Sequence, residues 1–536
     1  MGHASIPYTR VPHSSKLLLD YLYHFDSVRD FYTGSPFTSA TYKDLAQQLT
    51  GFCRDRTALI EILTRQNEAF GSAEPTFASI RRLREPGTFA VVTGQQVGLF
   101  SGPAFTLYKA LTAVRLAQVL SEEGLPCVPI FWLATEDHDL DEVAQAGIFD
   151  EEYGLVTLKD SGERPAPRSS VGVVKLTDEI NVALDHLQAT LPAGEPREAL
   201  LGDLRACYQP GATWAQAFGR FLTRLFGQWG VVMLDPLDNA LRPLIAPMFT
   251  QALTQAMTLR GHLIDRSQAL VRAGYHAQVH VAEDSTLVFA RRHGNRLPVA
   301  LRNGRFFVGE EETSLAELTA EAESLTPNVL LRPVVQDVLL PALAYVAGPS
   351  ELAYLAQAHT LYASFGRPQP IIFPRAGFTL VDRRIRRLME KYALEVEDVW
   401  QGEEHLGRKI AGAESAEGWS KRFDESEQEL ARLLARLRQN LETLDPTLLD
   451  ALKNAEEKMR YQMERLRGKV SRAALERSEL LSRHQQTLRR FLMPEKNLQE
   501  RQVSGVYFLG RAGYELLPRL LGHVQTQSSD HQVLVY

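Results

Sequence analysis

The chain has 536 residues, of which 44% are hydrophobic and 23% charged, and its formal net charge at pH 7 is −6. This length exceeds one ordinary domain, so we expect two or three structural units. The acidic balance gives no support to a general nucleic-acid-binding role, and no apolar run reaches the ~18 residues of a membrane span, so neither nucleic acid nor membrane is expected as a partner. The three cysteines, Cys53, Cys127 and Cys207, are scattered without a CxxC motif, which favours a reducing, cytoplasmic setting.

The chain is organised around the stretch from Thr93 to Glu142. A short apolar run at 89–92 predicts a buried strand, and the apolar spacing up to about Leu120 predicts a helix. The continuous apolar run from Cys127 to Ala134 is typical of a parallel strand covered on both faces. Open α/β sheets bind ligands beyond the C-terminal ends of their strands, so the loops after these two strands are the first candidates for a site.

The first of these loops has the composition of an anion-binding site. Glycines let the backbone approach a ligand, and a helix N-terminus offers unpaired N–H groups and a positive dipole end. Pro103 suits the first helical position, with Ser101 before it as a cap. The residues predicted to bind substrate here are Gln95, Gln96, Ser101, Gly102, Thr106 and Lys109. The alternative is a glycine-rich turn with Lys109 in solvent; the pattern is neither a Walker A loop nor GxGxxG.

The second loop places four ionisable residues, 136–139, directly after the strand that contains Trp132, a further candidate for substrate binding. A carboxylate beside His138 raises its basicity and holds one tautomer, which suits a general base. His138, Asp137 and Glu136 are therefore the candidate catalytic residues. Two alternatives stay open: a Mg²⁺ site, and acids that merely favour a helix start.

Further candidates lie between residues 329 and 383. Arg332 and Gln336 are four apart on a helical pattern, and Glu351 and Tyr354 follow a turn at Gly348. Arg375 ends a short strand, where a guanidinium suits a carboxylate or phosphate; a structural ion pair is the alternative.

The remaining segments divide by composition. Short strands at 156–158 and 171–176 suggest a first insertion, and apolar runs at 277–281, 286–290 and 305–308 suggest a second, β-rich one. Beyond residue 384, Leu430, Leu434, Leu437 and Leu441 begin a heptad pattern that resumes after Asp445-Pro446, which predicts two antiparallel helical arms. The predicted units are 1–150 (N-terminal helices and first core part), 151–210 (first insertion), 211–270 (core), 271–328 (second insertion), 329–383 (core), 384–492 (coiled coil) and 493–536 (a segment packing back on the core).

Five motifs resemble one known family, the cysteine ligase (cysteine-adding enzyme) of bacillithiol biosynthesis. They are GQQVGLFSGPAFTLYKA (94–110), VPIFWLATEDHDLDEV (128–143), LRPVVQDVLLPALAYVAGPSELAYLAQ (331–357), FPRAGFTLVD (373–382) and LMPEKNLQER (492–501). The resemblance runs nearly end to end and in the same order. The expected fold is α/β, a Rossmann-like parallel sheet with two inserted subdomains and a C-terminal antiparallel α-helical coiled coil.

The resemblance implies a ligase that adds L-cysteine to glucosaminyl malate by an amide bond, the last step in making the low-molecular-weight thiol bacillithiol. It also favours a homodimer through the coiled coil, against a self-contained hairpin. ATP or ADP is an expected cosubstrate because an amide does not form readily from a free carboxylate in water, and the need for a metal is open. The alternatives are a nucleotidyl-transfer-type enzyme on the same core and a non-catalytic coiled-coil scaffold.

Overall fold

The computed structural model describes residues 3–50, 56–162, 169–292, 295–414 and 419–536, so Cys53 lies outside the described residues. The strands are β1 (His3–Ile6), β2 (Phe89–Gln95), β3 (Cys127–Leu133), β4 (Gln145–Phe149), β5 (Leu155–Lys159), β6 (Val232–Leu234), β7 (Ser285–Arg292), β8 (Asn295–Arg302), β9 (Arg305–Val308), β10 (Glu311–Thr313), β11 (Leu325–Pro327), β12 (Ala342–Ala347), β13 (Ile371–Pro374), β14 (Phe378–Val381) and β15 (His531–Val535). The α-helices up to the end of the core are α1 (Lys16–Tyr23), α2 (Ser39–Thr50), α3 (Thr57–Phe70), α4 (Glu74–Leu83), α5 (Phe105–Glu122), α6 (Leu140–Val143), α7 (Glu179–Thr190), α8 (Glu195–Cys207), α9 (Trp214–Phe226), α10 (Arg242–Thr254), α11 (Ala256–Arg272), α12 (Leu315–Ala320), α13 (Arg332–Leu339) and α14 (Pro349–Ser364). The later helices are α15 (Arg383–Lys391), α16 (Val396–Trp400), α17 (Glu403–Glu414), α18 (Trp419–Leu444), α19 (Leu449–Arg477), α20 (Glu479–Leu492), α21 (Gln499–Gln502), α22 (Gly505–Ala512) and α23 (Leu516–His523).

A parallel five-stranded sheet in the order β13-β12-β2-β3-β6 forms the centre of the molecule. Its strands are almost wholly buried, as the continuous apolar runs predict for a sheet covered on both faces. In the sheet, β3 and β6 lie on one side of β2, and β12 and β13 lie on the other. The direction in which successive strands are added therefore reverses between β2 and β12. Such a switch point opens a crevice at the strand ends, and the Rossmann-like prediction is confirmed.

The helix after β2 starts later than predicted. Phe100, Ser101 and Gly102 all have positive φ (48°, 73° and 67°), so α5 begins at Phe105 and Ser101 makes no cap. The cause is tertiary: the Ala104 N–H donates to the Val503 carbonyl at 2.8 Å. A segment about four hundred residues further along the chain therefore holds this turn.

The first insertion contains the β4–β5 hairpin, α7 and α8. The strand predicted at 171–176 is wrong, because residues 171–173 form a single 3-10 turn. This turn docks on the loop after β3: the Val171 N–H donates to the Asp137 carbonyl at 2.7 Å, and the Gly172 N–H donates to the Thr135 carbonyl at 3.0 Å. The insertion thus braces the loop that carries the candidate catalytic residues.

The second insertion is a five-stranded antiparallel sheet in the order β10-β9-β8-β7-β11. The strands predicted at 286–290 and 305–308 are confirmed, but the one at 277–281 is wrong. The Val279 N–H and carbonyl both bond the side chain of Gln357 in α14, at 2.8 and 2.9 Å. A side chain thus takes the place of a pairing strand.

The C-terminal part is helical, and α18 and α19 form the predicted hairpin with its turn at 445–448. The last segment returns to the core, where β15 lies between β1 and β14. Cys127 is buried, and burial raises the pKa of its thiol to about 12, in keeping with the inert thiol that a buried strand predicts. Across the described residues, every helix is too short or too polar to cross a membrane.

Candidate active site

A cleft of about 620 Å³ lies at the C-terminal ends of the central strands, at the switch point. The predicted residues that line it are Gln95, Gln96, Lys109, Trp132, Glu136, Asp137, His138, Arg332, Glu351, Tyr354 and Arg375. A side cavity of about 280 Å³ adjoins it and includes Gly102. The fold therefore brings residues from four separated motifs to one place.

Between α5 and α14 the cleft is lined by an ion pair of Lys109 with Glu351, rather than by an open cationic site. The ammonium of Lys109 donates to the Gly94 carbonyl at 2.8 Å and to Gln95 Oε1 at 3.0 Å, and lies 2.5 Å from Glu351 Oε2. Glu351 in turn accepts from the Gly348 N–H at 2.7 Å and from the Tyr345 hydroxyl at 2.8 Å. Because an ammonium has three protons, all donors of Lys109 have protein partners.

Burial sets the electrostatics of this pair. It lowers the pKa of Lys109 even though Glu351 acts in the opposite direction. Burial by itself would raise the pKa of Glu351, but Lys109 and the Gly348 N–H outweigh it and the pKa lies below its usual range. The three short contacts of the Lys109 ammonium favour a charged pair with Glu351 at neutral pH.

Arg332 is a cation of the same wall whose guanidinium has N–H donors without a hydrogen-bond partner among the described residues. Its Nη2 donates to the Tyr354 hydroxyl at 2.6 Å and lies 3.5 Å from the Tyr345 hydroxyl. Its Nε and Nη1 make no hydrogen bond to any residue the structure describes. A guanidinium with an open edge in a cleft suits a carboxylate or a phosphate.

Arg375 lines the cleft but is already paired. Its Nη2 lies 2.6 Å from Glu500 Oε1, both side chains being about 95% buried or more, and its Nη1 donates to the Ala376 carbonyl at 2.9 Å. Glu500 also accepts from the Phe378 N–H at 3.0 Å. Of the two alternatives left open by the sequence, the structural ion pair describes these contacts.

The loop after β3 places a histidine beside a carboxylate. His138 is partly exposed in the cleft, and its Nδ1 lies 3.6 Å from Asp137 Oδ1, close enough for charge interaction and too far for a hydrogen bond. Asp137 accepts from the His138 N–H at 2.7 Å and from Gln96 Nε2 at 2.6 Å. Asp139 caps α6, as expected for an acid at a helix start. Gln96 therefore orients the carboxylate that faces His138.

Glu136 has a different set of partners, an arginine of α10 and two arginines of the second insertion. Burial raises its pKa, while Arg242 at 3.6 Å and the more distant Arg296 and Arg291 act to lower it. Arg296 stacks 3.9 Å above the Phe289 ring and donates to the Thr326 hydroxyl and the Pro327 carbonyl of β11. The insertion thus supplies part of the cleft lining.

Three predicted residues lie away from both cavities. Ser101, Thr106 and Gln336 are fully buried. The hydroxyls of Ser101 and Thr106 have no hydrogen-bond partner among the described residues. The backbone N–H groups of the glycine loop are also engaged, those of Gly98 and Gly102 by the carbonyls of Gln96 and Leu99. In this conformation the loop is a tight turn, without free N–H groups at these glycines to receive an anion.

Within the described ranges, no group of three or more histidine, cysteine, aspartate or glutamate side chains has the arrangement of a metal site. His276 bonds Gln278 instead. No metal ligands are therefore assigned.

Two family descriptions match the chain end to end. "Bacillithiol biosynthesis BshC, N-terminal Rossmann-like domain" matches residues 1–376, and "Bacillithiol biosynthesis BshC, C-terminal coiled-coil domain" matches residues 378–536. The chain belongs to the BshC family. The resemblance drawn from the five motifs is thereby confirmed.

Curated BshC relatives match over nearly their whole length. The relative from Koribacter versatilis is 38% identical over 99% of each chain, and that from Solibacter usitatus is 38% identical over 98% of each. The relative from Salinibacter ruber is 34% identical over 97% of this chain and 96% of its own. All three carry the name "Putative cysteine ligase BshC". A solved chain from Campylobacter jejuni, titled "putative arginyl t-RNA synthetase", covers 89% of this chain at 10% identity with a TM-score of 0.23, which supports no conclusion.

Several cleft residues of this BshC chain were not predicted from the sequence. Phe289 and Arg296 come from the second insertion, and no local signal distinguishes them from an ordinary strand face. Arg501 also lines the cleft, and here a signal existed: Gln499-Glu500-Arg501 is a polar triplet that ends one of the family motifs.

Proposed function

We propose that the protein is a ligase that joins L-cysteine to glucosaminyl malate through an amide bond, as the last step of bacillithiol biosynthesis. Family membership and the relatives' name support a cysteine ligase. The observation that carries the proposal is the cleft itself, which combines the open guanidinium of Arg332 with a histidine–carboxylate loop at the switch point of the sheet. Such a cleft suits an anionic substrate whose amine must lose a proton.

In the proposed reaction the amine nitrogen of glucosaminyl malate attacks the acyl carbon of an activated cysteine carboxylate. The C–N bond forms, the bond to the activating group breaks, and the amine proton passes to the imidazole of His138. Asp137 stabilises the imidazolium that results, and Gln96 holds that carboxylate in place. Arg332 and its Tyr354 partner bind an anionic group of the substrate.

ATP is the proposed source of the activating group, on chemical grounds alone. The glycine loop does not fit a phosphate cradle in this conformation, because the N–H groups of Gly98 and Gly102 have backbone partners. We therefore assign no phosphate contact to this loop and no catalytic step to it.

We also propose that the protein works in the cytoplasm as a homodimer joined through the α18–α19 hairpin. The support is an apolar stripe that the hairpin leaves in solvent. Leu437, Leu444 and Leu466 are 42%, 78% and 51% exposed, although they occupy heptad positions. Apolar area costs roughly 25 cal/mol per Å² in water, so a partner surface would stabilise the hairpin.

The test is an assay of purified protein with L-cysteine, glucosaminyl malate and ATP. Mass spectrometry of the product should show the two substrates joined with loss of water, and the nucleotide product distinguishes AMP from ADP formation. Nucleotide turnover without an amide product would instead favour a nucleotidyl-transfer enzyme. Absence of both activities, with a dimer still present, would favour a scaffold.

A further inference from the structure

The polar triplet Gln499-Glu500-Arg501 has no role in the activity proposed above, yet its residues are unusually well placed. Gln499 and Glu500 are 1% and 2% exposed, although both are polar. The Gln499 amide bonds both the N–H and the carbonyl of Leu380, at 2.8 and 3.1 Å, and the carbonyl of Phe491 at 3.0 Å. Glu500 binds Arg375, as described. Two buried side chains thus fix the short helix α21 on the core.

The chain just after Arg501 is fixed as firmly. The Val503 carbonyl accepts from the Ala104 N–H, and the Ser504 hydroxyl donates to the Phe100 carbonyl at 3.0 Å. The backbone of Gln502 passes so close to Gly147 that a Cβ there would lie 2.1 Å from its carbonyl oxygen. Arg501 therefore extends from a segment that is held on both sides, an arrangement that preorganises a side chain for binding.

Arg501 lies where the main cleft and the side cavity meet, and it lines both. Its guanidinium is 6.0 Å from the centre of the Phe105 ring, which Arg375 also approaches at 5.2 Å. The guanidinium of Arg501 makes no hydrogen bond and no ion pair with any described residue. Both carboxylate oxygens of its neighbour Glu500 have other partners, so no described carboxylate forms an ion pair with Arg501.

Positive charge exceeds negative charge along this side of the cleft. Arg332, Lys109, Arg375 and Arg501 are four cations, and Glu351 and Glu500 are two carboxylates. The two central cations are paired, which leaves two positive charges in excess, one on Arg332 and one on Arg501. A dicarboxylate is the ligand that matches two open guanidinium groups.

We infer that Arg501 is a substrate-binding residue that takes one carboxylate of the malate moiety, with Arg332 taking the other. This inference rests on the proposed function. It assigns part of substrate recognition to the segment after the coiled coil, and it explains why buried polar side chains fix α21: they set the position of the guanidinium.

The test compares the wild type with Arg501→Gln, Arg501→Lys and a matched control, Arg383→Gln. Arg383 is an exposed arginine that lines neither cavity. For Arg501→Gln we expect the KM for glucosaminyl malate to rise about tenfold to a hundredfold, the usual effect of losing a hydrogen bond to a charged group. The KM for L-cysteine should stay unchanged, Arg501→Lys should recover part of the loss, and the control should behave as the wild type.

A substrate analogue separates recognition from a merely structural role. In the wild type, replacing one malate carboxylate by a methyl group should weaken binding, whereas in Arg501→Gln the change at the matching carboxylate should have no further effect. Additive losses, an unchanged KM in Arg501→Gln, or an equal rise in the KM for L-cysteine would overturn the inference.

Calorimetric titration with L-malate distinguishes failure of the Arg501 inference from failure of the proposed function. If no amide product forms but L-malate binds the wild type and not Arg501→Gln, the ligase proposal fails and the carboxylate site stands. If the product forms and Arg501→Gln has an unchanged KM, only the carboxylate site is lost. If neither L-malate nor glucosaminyl malate binds the wild type, the inference is overturned.

Discussion

Lys109 and Glu351 join α5 to α14 across the switch point of the central sheet, with 2.5 Å between Nζ and Oε2. The pair lies in the cleft wall, yet every donor of Lys109 already has a protein acceptor. Lys109 is therefore a positioning residue in this structure, and we expect its removal first to lower the stability of the fold.

We predict that Lys109→Met lowers the free energy of unfolding by about 3–5 kcal/mol, because it leaves the Glu351 carboxylate buried without its counter-charge. The double variant Lys109→Met/Glu351→Gln should lose less than the sum of the two single changes. Urea denaturation measures each value. Lys16→Met is the control, since Lys16 is exposed and its ion pair with Asp20 should contribute little to stability. Equal effects of the two lysine variants would refute the prediction.

The second prediction concerns His138 as the base. His138→Ala should leave the unfolding midpoint unchanged, because the side chain is partly exposed, and should lower kcat roughly a hundredfold or more. Gln96→Ala should lower kcat less, since it only frees the Asp137 carboxylate to turn. Steady-state kinetics of the purified variants give both values. Near-normal turnover in His138→Ala would exclude it as the base.

The third prediction is a pH dependence of stability from Asp337. Burial raises the pKa of Asp337 to about 7, although hydrogen bonds from Tyr362 and Gln336 oppose it. Between about pH 4 and pH 7 the folded protein therefore holds a proton that the unfolded chain has lost, so stability falls as pH rises through this range. Asp337→Asn removes the effect.

Relative to the wild type, Asp337→Asn should gain about 3 kcal/mol in unfolding free energy between pH 5 and pH 8. The comparison needs the variant because His531, whose pKa burial lowers to about 4, titrates with the opposite sign over part of this range. Urea denaturation at each pH gives the difference. A difference that does not change with pH would show that Asp337 is ionised throughout.

The fourth prediction concerns the coiled coil. Leu437→Glu/Leu441→Glu places charges in the apolar stripe of the hairpin, and burial of an unpaired charge is strongly unfavourable. We expect a monomer with the α/β core still folded, measured by light scattering with circular dichroism as the check. Val182→Glu, at an apolar residue 61% exposed on the first insertion, is the matched control. A wild-type monomer at micromolar concentration, or a variant that stays dimeric, would contradict the proposed interface.

The central sheet could be predicted from the sequence because its strands carry their own signal. Buried parallel strands are continuous apolar runs, and β2 and β3 begin at the residues where those runs begin. Thr213 could also be predicted as a cap, and it accepts the Gln216 N–H at 3.2 Å. Local chemistry decides these elements, so local sequence suffices.

The errors occur where distant segments decide the outcome. The turn at Phe100–Gly102 is held by residues 503 and 504, and the apolar run at 277–281 is held by Gln357. Eleven of the predicted site residues line the cleft, but the partners of Lys109 and Arg375 were not foreseeable, because Glu351 and Glu500 lie far along the chain. Sequence pattern located the site, while tertiary pairing determines which cations in it remain open.

The pairing of β1 with β15 has a consequence for the time course of biosynthesis. His3 and Gln532, bonded through their side chains, are separated by 529 positions, so at ~5–20 residues per second the ribosome makes these two strands roughly 25 to 105 seconds apart. During that interval β1 has no partner on the nascent chain and is an open edge on which a chaperone or a neighbouring chain could pair. Arg375 likewise has no counter-ion until Glu500 has been synthesised. The cleft therefore acquires its final wall only when the segment from Gln499 onward has left the ribosome, and incomplete chains should be inactive however well their central sheet has formed.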